Sequence, residues 1–180
     1  MIEPTTLPAA PPVRTAAFEK RRRQMLHPFL VRLFYLAKLP LAFVAGLRLR
    51  ELDERRAVVT VPYGWRTTNP FRSTYFAALS MAAELSTGAL AMLATDLAPK
   101  PVALLIVGLT ASFEKKAAAT TTFTCEEGDK LAAAVARTVE TGEPATAEVE
   151  TIGRSPDGTV VARFTFTWSF KARQPKPARS

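Results

Sequence analysis

Ser73–Thr95 reads STYFAALSMAAELSTGALAMLAT, and within it Glu84 is the one charged side chain. A run so rich in Ala, Leu and Met predicts a long helix. A helix with almost no charge on any side is one that the rest of the fold encloses. On a helical projection Ala77, Ser80, Glu84, Thr87, Gly88, Ala91 and Thr95 share one side, while Tyr75, Leu79, Ala82, Leu90 and Leu93 share the other. The carboxylate therefore sits on a stripe of small and hydroxylated residues, with room beside it for a strand, a partner helix or a ligand. Removing an isolated carboxylate from water is costly or raises its pKa. Two readings stay open for Glu84: a reactive group, or a structural carboxylate held by neighbouring hydroxyls and amides.

Working outward, the polar loop GWRTTNPFR (64–72) precedes this helix, with Ser73 as its N-cap. Strands are predicted over 46–52 and 56–63, the second with Ala57, Val59, Val61 and Tyr63 on one face. Beyond the helix, Pro99 and Pro101 mark a loop. A strand over 102–114, buried on both faces at its start, another over 120–125, and a short helix over 128–140 ending at Gly142 follow. The last two strands, 145–153 and 159–170, are joined by the turn Ser155-Pro156-Asp157-Gly158. The final strand alternates, with Val160, Ala162, Phe164, Phe166, Trp168 and Phe170 on one face. At the amino-terminal side one helix is predicted over 15–40, opening on the exposed run EKRRR. Its apolar side carries Leu26, Leu30, Leu33, Phe34 and Ala37, and a linker leads on to Gly46. Residues 1–14, with Pro4, Pro8, Pro11 and Pro12, read as a disordered tail, 15–172 as a single domain, and 173–180 as a basic tail.

Composition excludes several chemistries. One cysteine, Cys125, rules out an intramolecular disulfide or a multi-cysteine metal site, and fits a reducing, cytoplasmic setting. One histidine, His27, leaves no Ser/His/Asp triad away from the basic segment and no two-histidine zinc site. The 8 glycines are isolated, so no phosphate-cradling loop can be written; no metal and no cofactor are expected. Net charge is +8, carried by the ends: residues 1–56 hold 11 Lys/Arg against 5 Asp/Glu, and 171–180 hold 4 against none. No basic face interleaved with aromatics appears in the middle, so nucleic acid is not expected as a partner. Phe29–Leu49 is interrupted by Arg32, Lys38, Pro40 and Arg48, and the long helix carries Glu84 at its centre, so neither is read as a membrane span.

Two strands, a long helix and four more strands, mostly linked as hairpins, are the order of an α+β hotdog fold. In that fold a curved antiparallel sheet of about six strands wraps one central helix; the amino-terminal helix is an addition. The residues carry a family resemblance as well. Arg66-Thr67-Thr68-Asn69-Pro70-Phe71-Arg72-Ser73-Thr74-Tyr75-Phe76-Ala77-Ala78 and Met81-Ala82-Ala83-Glu84-Leu85-Ser86-Thr87-Gly88 resemble an uncharacterised hotdog family of the acyl-CoA thioesterase superfamily, a domain of unknown function. So do Phe113–Ala117, Phe123–Glu126 and Arg163–Phe170. The phenylacetate-pathway type thioesterases to which it is related have an Asn before the helix, a His-Gly-Gly at its start, and an acid fifteen residues after the Asn. Asn69 and Glu84 keep that spacing; Tyr75, Phe76 and Ala77 stand where His-Gly-Gly would.

The resemblance implies hydrolysis of acyl-CoA or carrier-bound acyl thioesters, which the replacement of His-Gly-Gly leaves intact, alters or removes. Backbone amides near Phe76 and Ala77 would polarise the thioester carbonyl. Glu84 would act as general base or nucleophile, and Asn69 would orient the carbonyl or the water. Ser80 and Thr87 could fix the carboxylate or bond their own helix backbone. Arg72, Lys115 and Lys116 are candidate cations for the nucleotide end, and Tyr75, Phe76, Met81 and Leu85 could line an acyl slot. A homodimer with an interface site, or a dimer of dimers, is implied, and the amino-terminal basic helix could touch a membrane surface. The alternative functions are a non-hydrolytic acyl-thioester or lipid-binding module, and a structural or membrane-associated partner.

Overall fold

The structure, a computed structural model, describes residues 15–173; the expected tail 1–14 and all but the first residue of the expected basic tail 173–180 lie outside the described residues. In chain order the elements are α1 (Ala16–Leu26), α2 (Pro28–Lys38), α3 (Pro40–Ala45), β1 (Arg48–Leu52), β2 (Ala57–Val61), α4 (Phe76–Asp96), β3 (Val102–Phe113), β4 (Thr121–Cys125), α5 (Gly128–Thr141), β5 (Ala145–Arg154) and β6 (Val160–Ala172).

The single amino-terminal helix expected from the sequence is three helices. Proline lacks an amide proton and pushes the preceding residue to extended backbone. His27 accordingly takes φ −69, ψ 116, and both ends α1 and caps α2, where its Nδ1 accepts from the Leu30 amide at 3.4 Å. Pro40 opens α3 in the same way, where the sequence suggests a linker, and Gly46 closes it at φ 76. The expected apolar side of α2 is also corrected: Tyr35 is its buried residue, and Leu33 and Ala37 are exposed.

The sheet is antiparallel throughout, in the order β1-β2-β4-β5-β6-β3. Only β1–β2 and β5–β6 are hairpins. The chain crosses from β3 at one edge to β4 across the sheet, and α5 intervenes between β4 and β5. At the β5–β6 turn the Ser155 amide donates to the Thr159 carbonyl at 2.9 Å, and Gly158 supplies φ 87. The inward face of β6 is apolar as its alternation predicts, with Phe164 meeting Phe113 and Phe123 edge-on at 5.6 and 5.7 Å between centroids. Cys125 lies fully buried at the end of β4, and burial pushes its thiol up to about 11.

α4 packs on β2, β4 and β5 along its buried length. Among the described residues it is the one helix long and apolar enough to cross a membrane, and 67% of that window is buried inside the fold. It starts at Phe76, not at Ser73. Its N-cap, Tyr75, makes no side-chain cap bond, and the Ser73 hydroxyl donates instead to Asn69 Oδ1 at 3.1 Å.

β3 departs from expectation. Instead of being buried on both faces at its start, it is an edge strand whose first residues are half-buried and whose Leu105, Val107 and Leu109 are 66%, 56% and 53% exposed. A continuous apolar run does not by itself distinguish a central strand from an edge that another chain would cover.

Candidate active site

Glu84 stands midway along α4, and its side chain lines a cavity of about 480 Å³. α4 supplies the floor with Leu85, Gly88, Ala89 and Met92; α1 and α2 form the roof with Met25, Leu30, Val31, Phe34 and Tyr35. Leu49 of β1, Leu104 of β3 and Trp168 of β6 close the sides. Burial raises the Glu84 carboxyl above the usual carboxylate range, and among the described residues no neighbouring charge or hydrogen bond offsets it. Gly88 makes the space for it: a methyl there would stand 3.0 Å from Glu84 Oε1 and 3.5 Å from the Trp168 ring.

Ser80 and Thr87, candidates for fixing that carboxylate, are committed elsewhere. The Ser80 hydroxyl donates to the Phe76 carbonyl at 2.9 Å, and Thr87 Oγ1 donates to the Glu84 carbonyl at 3.1 Å while accepting from Trp168 Nε1 at 3.1 Å. The side chain that does face Glu84 is one that sequence reasoning misses. Tyr35 is 4% exposed, its hydroxyl lies against the Leu49 amide and within electrostatic reach of Glu84, and it completes a hydrogen bond to neither. Burial, against the lowering effect of the Leu49 amide, pushes its pKa up to about 12. The signal available is a hydroxyl inside the apolar run FLVRLFYLAK (29–38). Arg21 also lines the cavity, paired with Asp96 at 2.6 Å.

The other candidates gather in a second cleft, of about 660 Å³, lined by Asn69, Tyr75, Phe76, Lys115 and Lys116 among others. Asn69 organises the loop before α4: its Oδ1 accepts from the Phe71 amide at 3.0 Å, the Ser73 amide at 3.2 Å and the Ser73 hydroxyl at 3.1 Å. With that oxygen filled, only its side-chain N–H groups remain to meet a ligand. The Tyr75 amide donates to the Thr67 carbonyl at 2.6 Å and the Thr74 amide to the Ala117 carbonyl at 2.7 Å, which pins the start of α4 against the middle of the loop that follows β3. The Tyr75 carbonyl takes the Ala78 and Leu79 amides, leaving those of Phe76 and Ala77 as orphan donors at the helix start. The side chains of Tyr75 and Phe76 stack edge-on at 4.9 Å and stay exposed. Lys115 and Lys116 are exposed on this cleft; Arg72, exposed and left-handed at φ 58, is outside its lining. Of the expected acyl-slot residues, Leu85 lines the Glu84 cavity, Tyr75 and Phe76 line the second cleft, and Met81 lines neither.

The candidates therefore form two groups in one chain. Phe76 and Glu84 are eight residues apart on α4, about 12 Å along its axis. Each group opens into its own space.

Residues 29–170 match the model of a domain of unknown function, DUF4442. The chain belongs to the DUF4442 family. Because the match begins at residue 29, α1, which brings Arg21, Gln24 and Met25 to the cavity, precedes the DUF4442 region. The fold of this DUF4442 chain is shared with solved structures. A Pseudomonas aeruginosa protein of unknown function, named a probable thioesterase, superposes at TM-score 0.69 with 20% identity over 83% of this chain and 99% of its own. A Chlorobaculum tepidum protein of unknown function gives 0.68 with 15% identity over 82% and 98%. A Haemophilus influenzae thioesterase gives 0.58 with 13% identity over 78% and 88%. The wrapped helix and six-stranded sheet are thus a hotdog fold. No curated protein matches the sequence.

Proposed function

We propose that the chain hydrolyses acyl thioesters of coenzyme A or of an acyl carrier, at a site completed by a second copy of itself. The observation that carries this reading is a lone, desolvated carboxylate facing an apolar cavity. A carboxylate whose pKa is raised toward the working pH is a better base. Glu84 would take a proton from water as its oxygen attacks the carbonyl carbon; the carbon–sulfur bond then breaks, and the thiolate leaves with that proton. The Phe76 and Ala77 amides, with the dipole of α4 behind them, suit the developing oxyanion, and an Asn69 N–H can hold the same oxygen. Lys115 and Lys116 line the cleft where a phosphorylated head group would lie.

The distance along α4 between amides and carboxylate favours a division of labour between protomers. A long apolar edge strand supports the same reading, since such an edge is a liability unless another chain covers it. A homodimer, or a pair of them, would bring one copy's Asn69–Phe76 cleft to the other's Glu84 cavity. A second reading, retention of the acyl ligand without hydrolysis, is favoured by Tyr75, Phe76 and Ala77 standing where the related thioesterases have His-Gly-Gly.

The test is turnover of acyl-CoA thioesters across a panel of chain lengths, with Asn69→Asp and Asn69→Ala alongside wild type. Asn69→Asp keeps the loop-organising oxygen and loses the N–H donors, so it retains its melting temperature and loses turnover by about a hundredfold. Asn69→Ala loses both, and melts lower by the worth of the lost hydrogen bonds, about 1–3 kcal/mol. Hydrolysis unchanged in Asn69→Asp would remove the side chain from the site; no hydrolysis at any chain length by wild type would leave ligand retention as the function.

The outer side of the amino-terminal helices supports a peripheral contact with an anionic lipid surface. Phe29, Leu33, Leu36, Leu41 and Val44 are exposed, and from Lys20 to Arg50 the chain has cations and no acid. Sedimentation with vesicles containing anionic lipid should carry the protein down at low salt, and Phe29→Asp with Leu33→Asp should leave it in the supernatant. If those changes instead abolish dimerisation and wild type ignores vesicles, the patch is a protein interface.

A further inference from the structure

We propose that the cavity between the α1–α2 roof and α4 is an acyl-chain site contained within one protomer, and that the Tyr35 hydroxyl is the donor that binds the acyl carbonyl oxygen there. The proposal rests on the reading of the ligand as an acyl thioester. It adds to that reading a residue and a place for the chain.

A phenol buried as deeply as that of Tyr35 normally has a partner, and leaving its O–H unmade is costly. It lies against the Leu49 amide without completing a bond to it, so its proton is free to be donated to a ligand. The cavity it lines is otherwise aliphatic and aromatic, apart from Glu84, Arg21 and Gln24. A hydroxyl donor and a carboxyl group lining one apolar void complement a carbonyl at the head of a hydrocarbon chain. The walls are Met25, Leu30, Val31, Leu85, Met92 and Leu104, side chains that suit a flexible aliphatic tail better than a flat ring. The volume of about 480 Å³ lies within the usual range of small-molecule sites. A carbonyl oxygen has two lone pairs, so one can accept from Tyr35 while the other accepts from a single donor of the Asn69–Phe76 cleft.

The experiment uses the full chain and two ligands that cannot be hydrolysed. One is the ketone analogue of dodecanoyl-CoA, in which a methylene separates sulfur from carbonyl; the other is the dodecyl-CoA thioether, which has no carbonyl. Calorimetry should show both binding. Tyr35→Phe should weaken the ketone by about tenfold and leave the thioether unchanged. Val31→Trp, which fills the cavity, should weaken both dodecyl ligands and spare their butyl counterparts. Should Val31→Trp fail to fold, Met92→Phe carries the same comparison from the floor. Equal effects of Tyr35→Phe on ketone and thioether, or binding indifferent to cavity filling, would overturn the proposal even if the protein hydrolyses thioesters. The expected pattern in a protein that turns over no thioester would uphold the site and end the hydrolase reading.

Discussion

Glu84→Gln lowers kcat for thioester hydrolysis by about a hundredfold to ten-thousandfold, with the protein folded and more stable than wild type at neutral pH. The amide has nearly the same shape, so the cavity and its Trp168 and Gly88 neighbours are undisturbed; only the carboxylate is lost. The wild-type pH profile should show kcat/KM rising through an apparent pKa above the ordinary carboxylate range, because desolvation lifts the Glu84 carboxyl. The other titratable and charged groups lining its cavity are Tyr35, protonated throughout, and Arg21, already paired with Asp96. The stability effect has a fixed sign. With its folded pKa raised, Glu84 keeps a proton in the native state that the unfolded chain has released, so the wild type is favoured at acid pH. It loses that advantage as pH climbs from the unfolded pKa to the folded one, by about 1.4 kcal/mol for each pH unit between the two. Thermal melts of wild type and Glu84→Gln should therefore diverge over that window and run parallel above it. Undiminished turnover, together with melts that never diverge, would make Glu84 a bystander.

Gly128→Ala is the substitution with the largest expected effect on stability. Gly128 opens α5 against the turn between β1 and β2, its amide donating to the Arg55 carbonyl at 3.0 Å. A Cβ there would lie 2.1 Å from the Glu54 carbonyl oxygen and 2.8 Å from Arg55 Cα. Both are backbone atoms, so no rotamer change relieves the clash; α5 or the hairpin must move. A cost of about 3 kcal/mol follows, or a fall of about 6–12 °C in Tm for a chain of this size. Gly64→Ala is the control, since nothing stands within 4 Å of its added methyl. Melts at one protein concentration, with equal Tm for the two variants, would show that the α5–hairpin contact yields freely.

The parts of this fold legible in the sequence are those whose pattern is local. The charge-free helix, the alternation of β6 and the Ser155–Gly158 turn each carry their own signature within a dozen residues. Pro28 is legible too, but the apolar spacing continues on either side of it and suggests one helix, where the missing amide proton in fact ends one helix and begins another. The edge position of β3 is not legible, because burial on a face depends on what lies beyond the chain's own sheet. The same limit explains the site. Glu84 stands out as a charge without company, whereas Tyr35 reaches it only because α2 folds back over α4, a placement that no spacing between residues 35 and 84 records. Asn69 is found by its distance from Glu84, yet its clearest role in the structure is to bind its own loop, and the two residues face separate spaces of one chain.

The deep seat of Cys125 makes the chain a quiet background for its own assay. Its thiol is the single one in the sequence, fully enclosed and held protonated well past neutral pH, so it offers almost no thiolate to a disulfide reagent. Any coenzyme A freed in the proposed hydrolysis could then be titrated colorimetrically as it forms, with the native protein contributing no absorbance of its own, and a slow rise of protein-derived colour would report unfolding instead of turnover.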